Sequence, residues 1–411
     1  MQTELADFIR DTPEGREADA ILRKCVHCGF CNATCPTYQL LGDELDGPRG
    51  RIYLIKQVLE GVAPTARTRL HLDRCLTCRA CETTCPSGVQ YGRLADIGRG
   101  IVEEKVGRGA WDSMQRAVLS FALSRTGLFS FLLLLGRIAR PLLPGALKQK
   151  IPAASPASGT WPAPRHKRRM LALAGCVQPA LAPAINAAAA RVLDRAGISL
   201  IEVPAAGCCG ALRFHLNDQA AGRDDMRALM DAWWPMVERG EVEAIVMTAS
   251  GCGSFVKEFA HHFHDDAAYR DKAAKISSLT KDLSEVVQVQ QGEREGHARR
   301  VAFQSPCSLQ HGQQLRGKVE ALLIAAGYEL TPVADDHLCC GSAGTYSILQ
   351  PQLSGQLRER KLAALCAGGT AGSPDCIATA NIGCLTHLQG GMGTPQGGTP
   401  IPVRHWIELL E

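Results

Sequence analysis

The sequence predicts an α-helical domain followed by two duplicated α/β domains, and 18 cysteines carry most of that prediction. Eight cysteines form two similar runs within residues 1–105, and a helical pattern lies between the runs. The other ten lie in residues 167–290 and 298–411, where one cysteine spacing occurs twice. Residues 106–166, without cysteine, are predicted to form a helical segment and a linker. A length of 411 residues with 45% apolar residues suits two or three packed domains.

Charge, the N-terminal stretch and cysteine content indicate which partners and which cellular compartment to expect. With 45 basic and 41 acidic residues and no dense basic stripe, the chain is not predicted to bind nucleic acid. The N-terminal stretch MQTELADFIR has neither the basic nor the apolar region of a signal peptide, which predicts a cytoplasmic chain. Cytoplasmic thiols stay reduced, so clustered cysteines there predict metal binding rather than disulfides.

Both N-terminal cysteine runs have the spacing of bacterial ferredoxins. They read CVHCGFCNATCP over residues 25–36 and CLTCRACETTCP over residues 75–86, and both match C-x2-C-x2-C-x3-C-P. Three cysteines spaced in this way wrap one four-iron, four-sulfur cube, while the fourth leaves on the next helix toward the other cube. Zinc sites use paired C-x2-C motifs without the closing proline, which favours two 4Fe-4S clusters.

The run pattern assigns four ligands to each cluster. The first cluster takes Cys25, Cys28, Cys31 and Cys85, and the second takes Cys35, Cys75, Cys78 and Cys81. The helical pattern of residues 49–61 predicts a helical ferredoxin domain. His27, between two ligands, is interpreted as a neighbour that tunes the cluster potential. Two interpretations of the nearby basic residues stay open, charge compensation for the clusters or a solvated face: Arg49, Arg51, Lys56 and Arg74.

The C-terminal region contains an internal repeat that the cysteines reveal. Cys176, a Cys-Cys-Gly (CCG) motif at 208–210 and Cys252 recur as Cys307, a CCG motif at 339–341 and Cys384. Each half is predicted to run strand, helix, strand, CCG loop, helix, strand. The elements fall at 169–175, 183–196, 198–203, 219–239 and 243–252, and at 300–306, 312–326, 328–333, 350–366 and 375–384. This alternation predicts parallel α/β layers with the cysteines at the carboxyl ends of the strands.

Two interpretations of the repeat cysteines stay open. Four thiols per repeat suffice for a further iron–sulfur cluster, or they pack as small buried apolar side chains. The two sets are Cys176, Cys208, Cys209 and Cys252, and Cys307, Cys339, Cys340 and Cys384. Cys366 and Cys376 have no counterparts in the first repeat and are predicted to be structural.

The most apolar stretch is LFSFLLLL, residues 128–135. A membrane span needs about 20 such residues, so the stretch is predicted to be a helix buried between domains. The alternative is a helix lying on a membrane surface, because Arg125, Arg137 and Arg140 flank it. Residues 151–169, rich in Pro, Ala, Ser and Gly, predict a linker.

The segment VHCGFCNATCPTYQLLGDELDGPRGRIYLIKQVLEG resembles the iron–sulfur subunits of bacterial glycolate oxidase, and the resemblance extends to Glu411. It implies an α-helical ferredoxin domain followed by two duplicated α/β CCG domains. It also implies an electron-transfer subunit of a 2-hydroxyacid oxidoreductase, with flavin-binding partner subunits that oxidise glycolate, or a similar acid such as D-lactate, to the 2-oxo acid. Electrons would pass to quinone or another respiratory acceptor, from a peripheral site on the inner face of the inner membrane.

The CCG repeats also resemble those of heterodisulfide reductases and of a subunit of anaerobic glycerol-3-phosphate dehydrogenase. The alternative function is therefore a related subunit with its chemistry at the CCG sites. Against it, the motif of the heterodisulfide reductases ends in C-x2-C, whereas this chain has Phe255 and His387 at the last position. The sequence contains neither G-x-G-x-x-G after a strand nor G-x4-G-K-[ST]. No catalytic residue is assigned, and the chain is not expected to be catalytic alone.

Overall fold

The computed structural model describes residues 1–142, 144, 151–152, 158–289, 299–368, 372–392 and 401–411. These residues form two compact units. The first unit contains Met1–Ala117 and His337–Leu357, and the second contains Val118–Asp336 and Arg358–Glu411. Part of the predicted linker, 153–157, and two predicted domain ends, residues 290 and 298, lie outside the described residues.

The described part of the first unit is built from helices. Pro36, which closes the first cysteine run, begins a helix because its fixed φ suits a first helical position. Gly98 lets two long helices approach closely, since a Cβ there would lie 2.6 Å from Ile55 Cγ1. The helices are Asp7–Arg10, Pro13–Lys24, Phe30–Ala33, Pro36–Leu41, Pro48–Leu59, Ala66–Asp73, Ala80–Thr84, Tyr91–Lys105 and Tyr346–Leu349, and Ala110–Leu123 begins in this unit.

The second unit contains two four-stranded sheets in which every pair of neighbouring strands is parallel. The first has the order β2-β1-β3-β4, with β1 Arg168–Ala172, β2 Ile198–Glu202, β3 Ala244–Met247 and β4 Thr280–Asp282. The second repeats it as β6-β5-β7-β8, with β5 Arg300–Gln304, β6 Glu329–Leu330, β7 Cys376–Thr379 and β8 Val403–His405. All residues of β3 and β7 are buried, as expected of parallel strands covered on both faces.

Helices connect these strands. One predicted helix, 312–326, begins later than its pattern suggests, because a π-helical turn, Ser308–Gly312, precedes it and Gly317 turns the chain with φ +78°. The helices that begin within this unit are Thr126–Ala139, Gln178–Leu181, Ala184–Arg195, Ala211–His215, Gln219–Glu238, Ser250–Val256, Phe259–His262, Arg270–Leu279, Leu283–Val286, Lys318–Ala325 and Ile382–Gln389. The helix Pro351–Cys366 begins in the first unit and crosses into this one.

The third strand of each repeat is shorter than predicted. The expected strands 243–252 and 375–384 end on cysteines, but β3 ends at Met247 and β7 at Thr379. Their edge partners β4 and β8 have only three residues each, so each ladder stops there. Cys252 and Cys384 therefore lie in the helices that follow.

Polar contacts join the two repeats within the second unit. Ser250 Oγ lies 2.8 Å from Ser308 Oγ, and the Gly251 N–H donates to Asn381 Oδ1 at 3.1 Å. His405 Nε2 lies 2.9 Å from the Thr248 carbonyl oxygen. Burial lowers the pKa of His405 to about 4, so this imidazole is neutral at pH 7.

The apolar segment 128–135 lies in the helix Thr126–Ala139, and the prediction that it is buried is wrong, since no residue of this helix is buried. One side contacts the chain, as Thr126 donates to the Gly175 carbonyl oxygen and Arg137 to that of Ala180. The apolar composition favours burial, but the described residues that contact this helix leave every one of its own residues at least partly exposed. Among the described residues, no single helix is long and apolar enough to cross a membrane, although the bent pair Ala110–Leu123 and Thr126–Leu142 meets that criterion together.

Candidate metal centres

Cysteines from both runs line one cavity in the first unit. Cys25, Cys28 and Cys31 of the first run line it together with Cys85, the last cysteine of the second run. Cys81 also reaches the wall of this cavity. Burial and then the neighbouring thiols, Cys25 first, raise the pKa of Cys31 to about 11. Four such thiolates could not share this space without compensating positive charge.

The remaining run cysteines form a second group. Burial raises the pKa of Cys81 far above its usual value, and the thiols of Cys78 and Cys75 add to the effect. Cys35 belongs to the same neighbourhood, because the thiols of Cys78 and Cys81 each interact with it. The fourth cysteine of each run thus lies with the first three cysteines of the other run.

The two runs share one backbone conformation. His27 and Thr77, which precede the second cysteine of each run, have φ of 60° and 53°. Gly29 and Arg79, which follow it, have φ of 85° and 61°. A left-handed conformation costs about 1–2 kcal/mol for each residue that carries a side chain. The surrounding structure must therefore stabilise this turn in both runs. Turns of this kind point N–H groups into a concave surface that suits an anion.

A buried arginine lies beside the second group. The Arg51 guanidinium donates to the His71 carbonyl oxygen at 2.7 Å and to Thr37 Oγ1 at 3.2 Å, and one of its nitrogens lies 4.0 Å from Cys35 Sγ. It also pairs with the carboxylate of Asp46, which Arg74 contacts at 2.8 Å. Because cationic side chains already engage this carboxylate, the nearby cluster of Asp43, Asp46 and His71 does not form a separate cation site.

The four basic residues noted in the sequence therefore differ in role. Arg51 comes within hydrogen-bond distance of the Cys35 sulfur. Arg49 lines the first cavity and pairs with Glu44 at 2.6 Å, and Lys56 pairs with Glu60 one turn along its helix. Arg99, which no sequence pattern singled out, donates to the Cys75 carbonyl oxygen at 2.6 Å. The interpretation as charge compensation is thus supported for Arg51, whereas Lys56 belongs to an ordinary helix ion pair.

Two buried polar atoms test whether a cluster fits these sites. His27 Nε2 and the Tyr91 hydroxyl belong to residues that line the first cavity, and neither has a hydrogen-bond partner among the described residues. Leaving a buried polar group unsatisfied costs about 1–3 kcal/mol, so each needs a partner. Iron offsets the charge of four thiolates, and cluster sulfur accepts hydrogen bonds. The residues present therefore fit an iron–sulfur cluster.

The first CCG repeat brings its four cysteines into mutual contact. Cys176 follows β1, the CCG loop follows β2 and Cys252 follows β3. The thiols of Cys176 and Cys209 hydrogen-bond to Cys208 and lower its pKa, while Cys209 also contacts Cys252. The Gly210 N–H points at Cys208 Sγ at 3.4 Å. These contacts lie where the strands end, which is where parallel sheets bind ligands.

The cysteines of the second CCG repeat fall in both units. Cys307 follows β5, and Cys384 lies near Asn381, whose Nδ2 is 3.7 Å from the sulfur. Cys339 and Cys340 lie in His337–Leu357, which belongs to the first unit. The Gly341 N–H points at Cys339 Sγ at 3.4 Å, the same distance as in the first repeat.

Tyr346 links the second CCG loop to the ferredoxin cysteines inside the first unit. Its hydroxyl donates to the Arg74 carbonyl oxygen at 3.1 Å, immediately before Cys75. Burial raises the pKa of Tyr346, and the thiols of Cys75 and Cys339 also raise it, so both sulfurs lie nearby. The corresponding residue of the first repeat is His215, and no sequence pattern singled out either position.

Comparison with known proteins places these sites in recognised domains. Residues 21–89 match the model of the 4Fe-4S dicluster domain, and residues 170–257 and 301–389 each match that of the cysteine-rich domain. The chain is 53% identical to the glycolate oxidase iron-sulfur subunit of Escherichia coli (strain K12), over 100% of this chain and 98% of that protein. It is 30% identical to the probable glycolate oxidase iron-sulfur subunit of Bacillus subtilis (strain 168), over 95% and 93%. Lactate utilization protein A of Bacillus licheniformis is 28% identical over 55% of this chain and 92% of that protein.

Proposed function

This chain belongs to the family of glycolate oxidase iron–sulfur subunits, and from that membership we propose that it is the electron-transfer subunit of a glycolate oxidase. It would accept electrons from flavin-binding partner subunits that oxidise glycolate, or a similar 2-hydroxy acid such as D-lactate, to the 2-oxo acid. It would deliver them to quinone or another respiratory acceptor. The crossed grouping of the eight run cysteines carries the proposal, because such pairs of sites hold two clusters close together.

Each cysteine group would hold one 4Fe-4S cluster, which supplies a one-electron carrier when bound. The first group consists of Cys25, Cys28, Cys31 and Cys85, and the second of Cys35, Cys75, Cys78 and Cys81. Around the second group, Arg51 offsets negative charge at Cys35, and Arg99 fixes the Cys75 backbone. Buried apolar side chains, including Ile52 and Val89, line the cavity of the first group.

The CCG repeats would extend the chain of carriers. In the first repeat, the mutual contact of Cys176, Cys208, Cys209 and Cys252 supports a further cluster. In the second, Tyr346 brings the CCG loop beside Cys75, which supports electron exchange between the second ferredoxin group and this loop. The proposed ligands there are Cys307, Cys339, Cys340 and Cys384.

A second candidate function places disulfide chemistry at the CCG sites, as in heterodisulfide reductases. The four touching thiols of the first repeat favour it. Against it, Phe255 fills the position of the fifth cysteine and is buried in the core beside Phe214. The fifth thiolate of that motif is therefore replaced by an apolar side chain, which leaves electron transfer as the better supported function.

The exposed apolar helix Thr126–Ala139 would provide the peripheral contact with the inner face of the inner membrane. Phe131, Leu134 and Ile138 are 55%, 54% and 66% exposed. Arg125 at its start and Arg140 at its end would meet anionic lipid headgroups. An apolar face between cationic ends matches the interface of a bilayer better than it matches water.

The decisive experiment compares the purified chain alone with the chain recombined with the flavin-binding subunits of its complex. We expect no glycolate-dependent dye reduction by the chain alone, because hydride chemistry belongs to a flavin or nicotinamide and the sequence shows no site for either. Recombination should give glycolate-dependent reduction of the ferredoxin clusters, seen by electron paramagnetic resonance (EPR). Glycolate oxidation by the chain alone would overturn the proposal, and disulfide reduction by the chain alone would favour the second candidate.

A further inference from the structure

Tyr91 occupies a fixed position between the two cysteine groups. It is the first residue of the helix Tyr91–Lys105 and lies six positions after Cys85. The next residue, Gly92, anchors this helix start by donating its N–H to Glu82 Oε1 at 2.6 Å. The Tyr91 ring is 4% exposed and lines the cavity that holds Cys25 and Cys85.

Tyr91 also belongs to the buried cluster in which Cys81 and Cys75 of the second group pack. Burial raises the pKa of the Tyr91 hydroxyl well above its usual value, and the nearby thiols of Cys75 and then Cys81, both of the second group, add to the rise. The buried guanidinium groups of Arg51 and Arg99 are also near, but they donate to other oxygens, including the carbonyls of residues 71 and 72. Among the described residues, this hydroxyl has no hydrogen-bond partner.

A buried hydroxyl without a partner is unusual in a folded protein and calls for one. The cysteine runs predict sulfur acceptors beside the Tyr91 hydroxyl, either cysteine thiolates or the sulfides of a cluster. Reduction adds negative charge to those sulfurs, so a hydrogen bond to them stabilises the reduced cluster more than the oxidised one. Hydrogen bonds to sulfur are among the features that set cluster potentials.

We propose that the Tyr91 hydroxyl donates a hydrogen bond to a sulfur of the second cluster and raises the reduction potential of that cluster. Tyr91 would then make the second cluster a better electron acceptor than the same cluster without this hydrogen bond. Electrons are thereby drawn toward the group that Tyr346 joins to the second CCG loop. The inference rests on the proposed function only in requiring that both clusters are present.

The test is the variant Tyr91→Phe, which removes one oxygen and keeps the ring. Anaerobically prepared holoprotein is titrated with reductant while EPR follows both clusters. The second-cluster signal is identified as the one lost in Cys78→Ser, whose position in its run does not depend on the crossed assignment. We expect its midpoint potential to fall by an amount equal to a tenfold change in the redox equilibrium, about 59 mV for one electron.

The control variant is Tyr53→Phe, which makes the same chemical change at a ring that is 45% exposed. It should shift neither potential. Unchanged potentials in Tyr91→Phe, or a shift confined to the first cluster, would overturn the inference. Absence of two cluster signals in the unaltered protein would instead overturn the proposed function, so the two failures are distinguishable.

A second variant covers the case in which Tyr91→Phe fails to assemble both clusters. Incorporation of 3-fluorotyrosine at position 91 keeps the ring and hydroxyl and makes the hydroxyl a stronger donor. The second-cluster potential should then rise while the first stays unchanged. A potential that does not rise contradicts a hydrogen bond from this hydroxyl.

Discussion

At the scale of single residues, Cys35 shows how one side chain ties a run to the opposite group. Its thiol is buried and lies 3.3 Å from Thr37 Oγ1 and 3.7 Å from the Asp46 carbonyl oxygen. Pro36 begins the following helix, so the chain leaves the first run as Cys35 turns toward Cys78. The crossed arrangement thus depends on where the fourth cysteine meets the next helix.

Replacement of Cys35 by serine should damage the second cluster although Cys35 lies in the first run. Serine is a poor iron ligand, and the three remaining thiolates of the second group cannot hold a complete cube as firmly. EPR of the reduced protein should resemble that of Cys78→Ser and differ from that of Cys28→Ser. The mirror variant Cys85→Ser should resemble Cys28→Ser. Loss of the Cys28-dependent signal in Cys35→Ser would contradict the crossed ligand sets.

The run cysteines could be selected from the sequence because their spacing is local, and local spacing specifies the turn. Tyr91 and Arg99 could not be assigned such roles, and Arg51 could not be separated from the three other basic candidates, since the contacts of these residues arise only when separate helices pack together. Tyr91 follows the second run closely, and that proximity was the one available signal. Arg51 is part of a helical pattern in which a solvated position and a buried one look alike.

At the scale of elements, the helix Thr126–Ala139 is strongly apolar, yet none of its residues is buried by the described part of the chain. The apolar pattern predicts the helix correctly, yet it cannot say what covers the exposed face. For the third strand of each repeat, the sequence predicts the element correctly but places its end too late. Their apolar runs predict extended structure as far as Cys252 and Cys384, but three-residue edge strands such as VRH carry too little signal to reveal where pairing stops.

The membrane proposal predicts that the triple variant Phe131→Glu, Leu134→Glu, Ile138→Glu loses binding to vesicles of mixed neutral and anionic phospholipid. Burial of one large apolar side chain contributes about 1.5–3 kcal/mol, so each replacement should weaken binding about tenfold or more. Sedimentation with vesicles measures this. Ile324→Glu, at an isoleucine that is 60% exposed on another helix, is the matched control and should bind like the unaltered protein. Equal binding of the triple variant would exclude this helix as the lipid contact.

At the scale of the whole molecule, the duplicated repeats raise the question of how many clusters one chain holds. Two ferredoxin-type clusters account for eight irons, and each occupied CCG site would add four. The repeat spacing was visible in the sequence, whereas the division of the second repeat between two compact units was not. That division depends on contacts such as Tyr346 with the Arg74 carbonyl, which link residues far apart in the chain.

We expect anaerobically reconstituted protein to carry more than eight irons per chain. Replacing Cys339 and Cys340 together by serine should lower the iron content and leave both ferredoxin signals intact. The same double change at Cys208 and Cys209 tests the first repeat, and Cys366→Ser, outside both proposed sites, is the control. Iron assay with protein quantitation gives the ratio. A value of eight in every protein would make the CCG repeats structural layers without clusters.

The composition of the first unit also bears on how the chain is made. Besides the helices around the cysteine runs, this unit contains the segment His337–Leu357. That segment emerges from the ribosome only after most of the chain has been synthesised. Domains usually fold in order from the N-terminus during synthesis, but this unit cannot be complete until that late segment arrives. Until then, Cys75 and its neighbours lack the loop that carries Tyr346. The nascent chain would therefore keep this side of the second cysteine group uncovered, and open to the machinery that inserts clusters, for most of its synthesis.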